Sequence, residues 1–541
     1  MSTNWNFADI YETVASAIPN APCQIQGERV QTWQQFDRRA NALAHDMLRA
    51  GLGRQSKIAA YLYNGIEYLE CYYAAFKAAL VPTNTNFRYG PDELAYLWEN
   101  SDAEAVIFHA TLAPIVDKLR GQLPKVKRWY VVADGAPKPK WAVDYEAVVA
   151  PGADVPALQW QRSGDDLLFL YTGGTTGMPK GVMWRQDDLF NVLGAGANLV
   201  KELPAITRLQ ELTERLRNAE PGSAPVFVPA CPLMHGTGQF SSFIYMIQGG
   251  CIVLLDNRRF SSEELWATVE RHHVTNMAIV GDAFARPMLE ALDKDPGRYN
   301  LSSMRGISSS GVMWSQEVKQ GLLRHMPHIT LADSFGSSEA VGLGASASTA
   351  DNSEQTARFM PGPLVKLFIE DTWAEAGVGE RGLVAQTGFL PVGYYKDEEK
   401  TNKTFKVING VRYSVPGDFA QLNADGSMML LGRGSVCINT GGEKVFPEEV
   451  EEVLKRHPHI KDAVCVGVPD ARFGQAICAV VELRNAGTAL GVEDAAAHVK
   501  NHLAAYKAPR FTITVDTIGR AANGKVDYKG LTQLARTRLG I

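Results

Sequence analysis

The chain has 541 residues, of which 45% are hydrophobic, 9% aromatic and 21% charged. That length predicts about three or four compact units, excludes a small stapled module, and the composition excludes a disordered or collagen-like chain. Net charge is −5, from 54 basic against 59 acidic residues, without a run of five or six like charges, which argues against nucleic acid as a partner.

The seven cysteines, Cys23, Cys71, Cys231, Cys251, Cys437, Cys465 and Cys478, are scattered and never form a CxxC pair. This argues against a disulfide framework or a zinc site and for a reducing, cytoplasmic setting. The start, MSTNWNFADIYETV, lacks a basic segment followed by an apolar one. No stretch approaches the roughly eighteen apolar residues of a membrane span. Integral membrane insertion is therefore not expected, whereas peripheral membrane contact and oligomeric state are left open.

In chain order, short apolar runs alternate with amphipathic stretches as far as about residue 345. Strands are predicted at 57–63, 105–109, 167–172, 251–256 and 329–335, and helices at 33–48, 261–272 and 316–325. This is α/β punctuation, in which ligands bind beyond the carboxyl ends of mostly parallel strands. Segment 201–225 places Leu203, Ile206, Leu209, Leu212 and Leu216 at helical spacing; a surface helix packed on its own domain is favoured over a lid. From 346 to 432 the texture is β-rich, with turn dipeptides at Asn409-Gly410 and Asp425-Gly426. Beyond Glu448 a helix–strand–strand–helix pattern predicts a small α+β lobe. The expected division is 1–432 and 433–541, with a hinge near 433–436 where glycines flank Arg433.

The strongest chemical signal is YTGGTTGMPKG, residues 171–181, after the run LLFLYT and before an expected helix. Three glycines (Gly173, Gly174, Gly177), three threonines (Thr172, Thr175, Thr176) and Lys180 let backbone N–H groups, hydroxyls and an ammonium approach phosphate oxygens. The GxxxxGK[ST] order is absent, so this is not a Walker A loop.

The segment resembles the nucleotide-binding signature of the adenylate-forming superfamily, which comprises acyl-CoA synthetases, luciferases and peptide-synthetase adenylation domains. Further blocks resemble that family in order: Phe335-Gly336-Ser337-Ser338-Glu339, Pro416-Gly417-Asp418, Gly432-Arg433, the run from Gly441 through Gly442, Glu443 and Lys444 to Glu449, and Asn523-Gly524-Lys525. Phe335 stands for the usual Tyr and Ser338 for the usual Thr, which keeps a ring face and a hydroxyl. The hinge reads Gly434-Ser435-Val436 where many relatives carry aspartates.

The resemblance implies a large N-terminal domain of helix-covered sheets with a β-rich subdomain, and a small mobile C-terminal domain. It implies that a carboxylic acid attacks ATP to give an acyl adenylate, from which CoA takes the acyl group. Residues 172–180 would hold the β- and γ-phosphates, and Glu339 with Ser338 would hold Mg²⁺. In isolation Glu339 reads as a helix N-terminal carboxylate. Asp418 and Arg433 would take the ribose hydroxyls, and Ser309, Ser310, Gly311, Asp333, Ser334 and Phe335 would surround adenine. Lys525 would carry its charge to the α-phosphate, and His235 would line the acyl pocket. Rotation of the small lobe would then exchange Lys525 for the 441–444 loop. The chain looks most like actinobacterial-type synthetases of fatty acids or steroid side-chain carboxylates. An amino-acid-activating enzyme and a luciferase-like oxygenase share the motifs.

Overall fold

The apolar run Leu167–Thr172 forms a strand whose middle four residues are buried, inside an eight-stranded sheet. The structure, a computed structural model, describes residues 4–172, 178–198, 202–312, 314–352, 357–440, 443–470, 473–485, 490–521 and 524–541. Across the first sheet the order is Gly393–Tyr394, Lys180–Arg185, Leu167–Thr172, Val81–Asn84, Lys57–Tyr61, Ala103–His109, Arg128–Val132 and Val143–Asp144. From Leu167–Thr172 onward all neighbours are parallel. The helix Ile66–Lys77 is buried on every side, and its charges are met by partners: Arg39 holds Glu70, and Glu12 and Asp37 hold Lys77 at 2.8 Å.

One local expectation fails here. The loop after Leu167–Thr172 leads into strand Lys180–Arg185, antiparallel to it, rather than into a helix. KGVMWR buries Gly181, Val182 and Trp184, and all six of its residues pair in register with Leu167–Thr172. Residues 173–177, outside the described residues, therefore connect two antiparallel strands and not a strand and a helix.

The second sheet has fifteen strands. After the antiparallel edge strand Arg29–Thr32 comes a parallel set, Pro22–Gln26, Cys251–Leu254, Val226–Pro229, Asn276–Ile279, Gly306–Ser310 and Thr330–Ser337. The hairpin from Thr330–Ser337 to Ala340–Ser348 turns it antiparallel, and Arg358–Pro361 carries it on into Met428–Arg433 and Asp418–Leu422. The β-rich texture thus begins in a strand starting at Ala340, and it encloses one helix, Glu398–Thr404.

Helix Leu209–Arg217 packs on the first helix, Phe7–Ala17, with Leu212 buried, so it is a surface helix on its own domain. Lys201 lies outside the described residues. The last lobe has a five-stranded sheet in which Ile460–Asp470 is covered on both faces, with Ala463, Val464, Cys465 and Val466 all buried. Ala463 and Cys465 face helices Pro447–Lys455 and Val492–Lys500, while Val464 and Val466 face Tyr528–Leu539. Among the described residues no helix is long and apolar enough to cross a membrane.

Candidate active site

A cavity of about 1560 Å³ opens where strand ends of both large sheets meet the small lobe. Asn84 joins those sheets at its floor: its Nδ2 donates to the carbonyls of Tyr171 and Met234, both at 2.8 Å, and its Oδ1 accepts from the Tyr171 N–H at 2.6 Å. Thr172 and Lys180 line the cavity from the first sheet. The Lys180 ammonium is paired with Asp397, which caps helix Glu398–Thr404. That hydrogen bond holds the lysine above its usual range and the carboxyl below its own.

The second sheet supplies Ser309, Ser310 and Gly311 from one strand end and Asp333, Ser334, Phe335 and Gly336 from the next. Ser309 Oγ accepts from the Gly281 N–H at 2.9 Å. Asp333 pairs with Lys319, a lysine buried on helix Gln316–His325. Burial pushes the Asp333 carboxyl up against the pull of that ammonium. The Phe335 ring packs on Phe359 at 5.6 Å between centroids.

Ser338 and Glu339 form the hairpin turn after Thr330–Ser337, so Glu339 is not at a helix N-terminus. The turn is pinned to the first sheet by the Trp184 indole N–H, which donates to the Ser338 carbonyl at 3.0 Å. Glu339 Oε1 accepts from the Tyr394 hydroxyl at 2.6 Å. Asp418 opens strand Asp418–Leu422 and is the register partner of Arg433 in Met428–Arg433. Residues Gly173, Gly174, Thr175, Thr176, Gly177, Gly441, Gly442 and Asn523 lie outside the described residues, as do the side chains of Arg433, Glu443 and Lys444.

From the small lobe, Lys525 also lines the cavity. It follows Gly524, whose φ of +70° and whose N–H, donating to the Ala521 carbonyl at 2.7 Å, close a tight turn. A Cβ on Gly524 would lie 2.5 Å from Val312 Cγ2 of the large lobe, so the turn is pressed against the cavity wall. His235 stands at the N-terminus of helix Gly236–Ile247 without capping it through its side chain. Its ring is partly accessible from the cavity yet enclosed by protein. Burial, helped by the Lys525 and Arg88 charges, pushes the imidazole down to about 4.

The family model described as AMP-binding enzyme matches residues 11–388. The chain belongs to the AMP-binding enzyme family. The model for the C-terminal domain of these enzymes matches residues 449–525, and so ends on Lys525. Among curated members of the AMP-binding family, a medium/long-chain-fatty-acid–CoA/3-oxocholest-4-en-26-oate–CoA ligase of Mycobacterium marinum is 38% identical over 99% of this chain and 98% of its own. A 3-oxocholest-4-en-26-oate–CoA ligase of Rhodococcus rhodochrous is 39% identical over 97% of this chain and 95% of its own. Among solved structures, an anthranilate CoA ligase in complex with anthranoyl-AMP shares the fold, with a TM-score of 0.84 at 20% identity over 100% of this chain and 99% of that one.

Among the cavity residues that hold others in place, Asn84, Tyr394 and Asp397 escaped the sequence reading. Asn84 carried a signal, since asparagine is depleted in strands and here ends one. Asp397 carried another, an Asp immediately before the helical run EEKTNKT. Tyr394 carried none, because the pairing of Gly393–Tyr394 with Lys180–Arg185 spans more than two hundred residues of sequence.

Proposed function

We propose that the chain is an AMP-forming acyl-CoA ligase, converting ATP, a carboxylic acid and CoA into acyl-CoA, AMP and diphosphate through an acyl adenylate. One observation carries this reading: Lys180, Glu339, Asp418, His235 and Lys525, drawn from both lobes, line a single cavity. A carboxylate is a poor electrophile, and attack on the α-phosphorus of ATP makes AMP its leaving group. Negative charge shifts towards the departing diphosphate, so the rate depends on placed cations and donors.

Lys180 is assigned to the β- and γ-phosphates together with the 173–177 segment, and Asp418 to the ribose hydroxyls with Arg433. Ser309, Ser310, Gly311 and the Asp333–Phe335 strand end are assigned to adenine, with Lys319 keeping Asp333 in place. Glu339 is suited to Mg²⁺: Tyr394 fixes Oε1, and among the described residues Oε2 accepts no hydrogen bond. When bound, the ion supplies charge neutralisation at the phosphates. Lys525 is assigned to the α-phosphate during adenylation. His235, neutral at physiological pH, orients the acyl group as a hydrogen-bonding partner and not as a cation.

The acid is proposed to be a fatty acid or another bulky apolar carboxylate. Leu193, Phe240, Ile244, Val280 and Trp314 supply apolar wall to the cavity, and the relatives named above act on such acids. An amino-acid substrate is less well supported: the Asp282 carboxylate on this wall already accepts from the Ser315 N–H at 2.9 Å and lies beside Arg286.

We place the boundary between lobes after Gly432 and the hinge at 433–436. Gly432 has a φ of +121°, the short turn Gly434–Val436 follows it, and Met428–Arg433 is the last strand in chain order to join the second sheet. Rotation there would withdraw Lys525 and admit the CoA thiol with the 441–444 segment. A cytoplasmic site of action suits the seven free cysteines and the supply of ATP and CoA. The test is AMP release by the purified protein with ATP, Mg²⁺, CoA and acids from acetate to sterol acids. AMP formation dependent on an amino acid alone, or light emission with a luciferin, would favour the other branches.

A further inference from the structure

Lys525 sits on a turn that another residue holds in shape. The Arg520 guanidinium donates through Nε and Nη2 to the two carboxylate oxygens of Asp462, at 2.6 and 2.9 Å. Its remaining nitrogen, Nη1, donates to the carbonyl of Gly524 at 3.3 Å, the peptide oxygen immediately before Lys525. The turn is closed again when the Ala521 N–H donates to the Lys525 carbonyl at 2.9 Å. Asp462 is fixed in turn, since its Oδ1 also accepts from the Ala463 N–H at 2.8 Å in strand Ile460–Asp470. Arg520 and Asp462 side chains are only 19% and 21% exposed, so the pair is shielded enough for a bidentate contact to hold its geometry.

We propose that Arg520 is a positioning residue for adenylation: with Asp462 it clamps the 521–525 turn, so that the Lys525 ammonium enters the cavity at a fixed point. Only a planar, permanently charged fork can grip a carboxylate with two nitrogens while a third reaches a carbonyl; a lysine keeps the charge but not the fork. Asp462 also neutralises the guanidinium, so the clamp does not repel the ammonium that it places. Every contact of the clamp lies within the small lobe, and it travels with Lys525 when the lobe turns. The inference rests on the adenylation role of Lys525 proposed above.

The test measures two half-reactions separately: acyl adenylate formation in a single turnover, and thioester formation from supplied acyl adenylate. Variants are Lys525→Ala, Arg520→Lys, Arg520→Gln, the double variant Arg520→Gln/Asp462→Asn, which leaves no unpaired buried carboxylate, and Arg520→Gln/Lys525→Ala. A misplacement of about 1 Å costs on the order of 100-fold, so Arg520→Gln and Arg520→Gln/Asp462→Asn are expected to slow adenylation by about 10- to 100-fold. Thioester formation stays near wild type, Arg520→Lys recovers part of the loss, and Arg520→Gln adds nothing to Lys525→Ala. If Lys525→Ala leaves adenylation intact, the underlying assignment fails and the clamp with it. If Lys525→Ala suppresses adenylation but Arg520→Gln/Asp462→Asn does not, the clamp alone is refuted. Equal loss of both half-reactions, or multiplication of the two losses in Arg520→Gln/Lys525→Ala, refutes it as well.

Discussion

Lys525 of the small lobe bears electrostatically on His235 of the large one, and its charge adds to burial in keeping that imidazole neutral down to about pH 4. The relationship ties the placement of the two lobes to a measurable titration. An NMR titration is expected to place the His235 value near 4, and Lys525→Ala to raise it, because one repelling charge is gone. A value unmoved by that substitution would separate the two residues.

The same shift predicts a dependence of stability on pH. The folded value lies below the ordinary value of 6.5, so as pH falls the unfolded chain takes up the proton first. The contribution is fully present above pH 6.5 and is lost between 6.5 and about 4, amounting to no more than about 3 kcal/mol. Urea midpoints of His235→Gln are expected to fall less steeply over that window than those of the parent. Activity between pH 5 and 8 should show no limb that this substitution removes.

The Tyr394–Glu339 hydrogen bond, 2.6 Å long, predicts graded losses. Glu339→Gln removes a charge from the proposed ion site and is expected to suppress adenylation and raise the Mg²⁺ requirement. Tyr394→Phe removes the hydrogen bond to this charged group, worth about 1.5–3 kcal/mol, and should cost roughly 10- to 100-fold. Indifference of the Mg²⁺ requirement to both substitutions would contradict the assignment.

Asp397 holds Lys180 and also caps helix Glu398–Thr404, accepting from the Lys400 N–H at 2.9 Å. Asp397→Ser keeps a capping oxygen and deletes the charge that competes with triphosphate for the lysine. The expected result is a lower KM for ATP at nearly unchanged stability, whereas Lys180→Met raises that KM. A higher KM in Asp397→Ser would mean that the carboxylate orients the lysine and does not compete for it.

Gly524 meets Val312 across the lobe interface at a backbone conformation of φ +70°. Gly524→Ala adds a methyl group there and about 1 kcal/mol of left-handed strain. Adenylation is expected to fall at least about tenfold while thioester formation from supplied adenylate changes little.

What the sequence discloses follows from how local each signal is. Strand Leu167–Thr172 and helix Gln316–His325 coincide with their expected limits, because a continuous apolar run and a 3.6-residue period are written in adjacent residues. The small lobe's helix–strand–strand–helix core is equally readable, through the apolar runs AVCVGVP and ICAVVEL. Strand Lys180–Arg185 was missed because the loop before it suggested a phosphate-binding helix, and only its pairing with Leu167–Thr172 settles the matter. The motif residues that line the cavity, among them Lys180, Glu339, Asp418 and Lys525, stand in blocks legible in the sequence. Their holders Tyr394, Asp397, Lys319 and Arg520 act through contacts between distant segments, of which no block gives notice.

Ser309, Asp333 and Asp418 stand in strands of one sheet, irregular only between Phe335 and Ser337 and between Phe419 and Ala420 along this path, and the turn bearing Glu339 joins two of its strands. The bed assigned to adenosine is thus one continuous plate, whose strands are tied to neighbours by shared rungs. On the proposed rotation about 433–436, the adjustment that turnover demands falls to the jaw that carries Lys525.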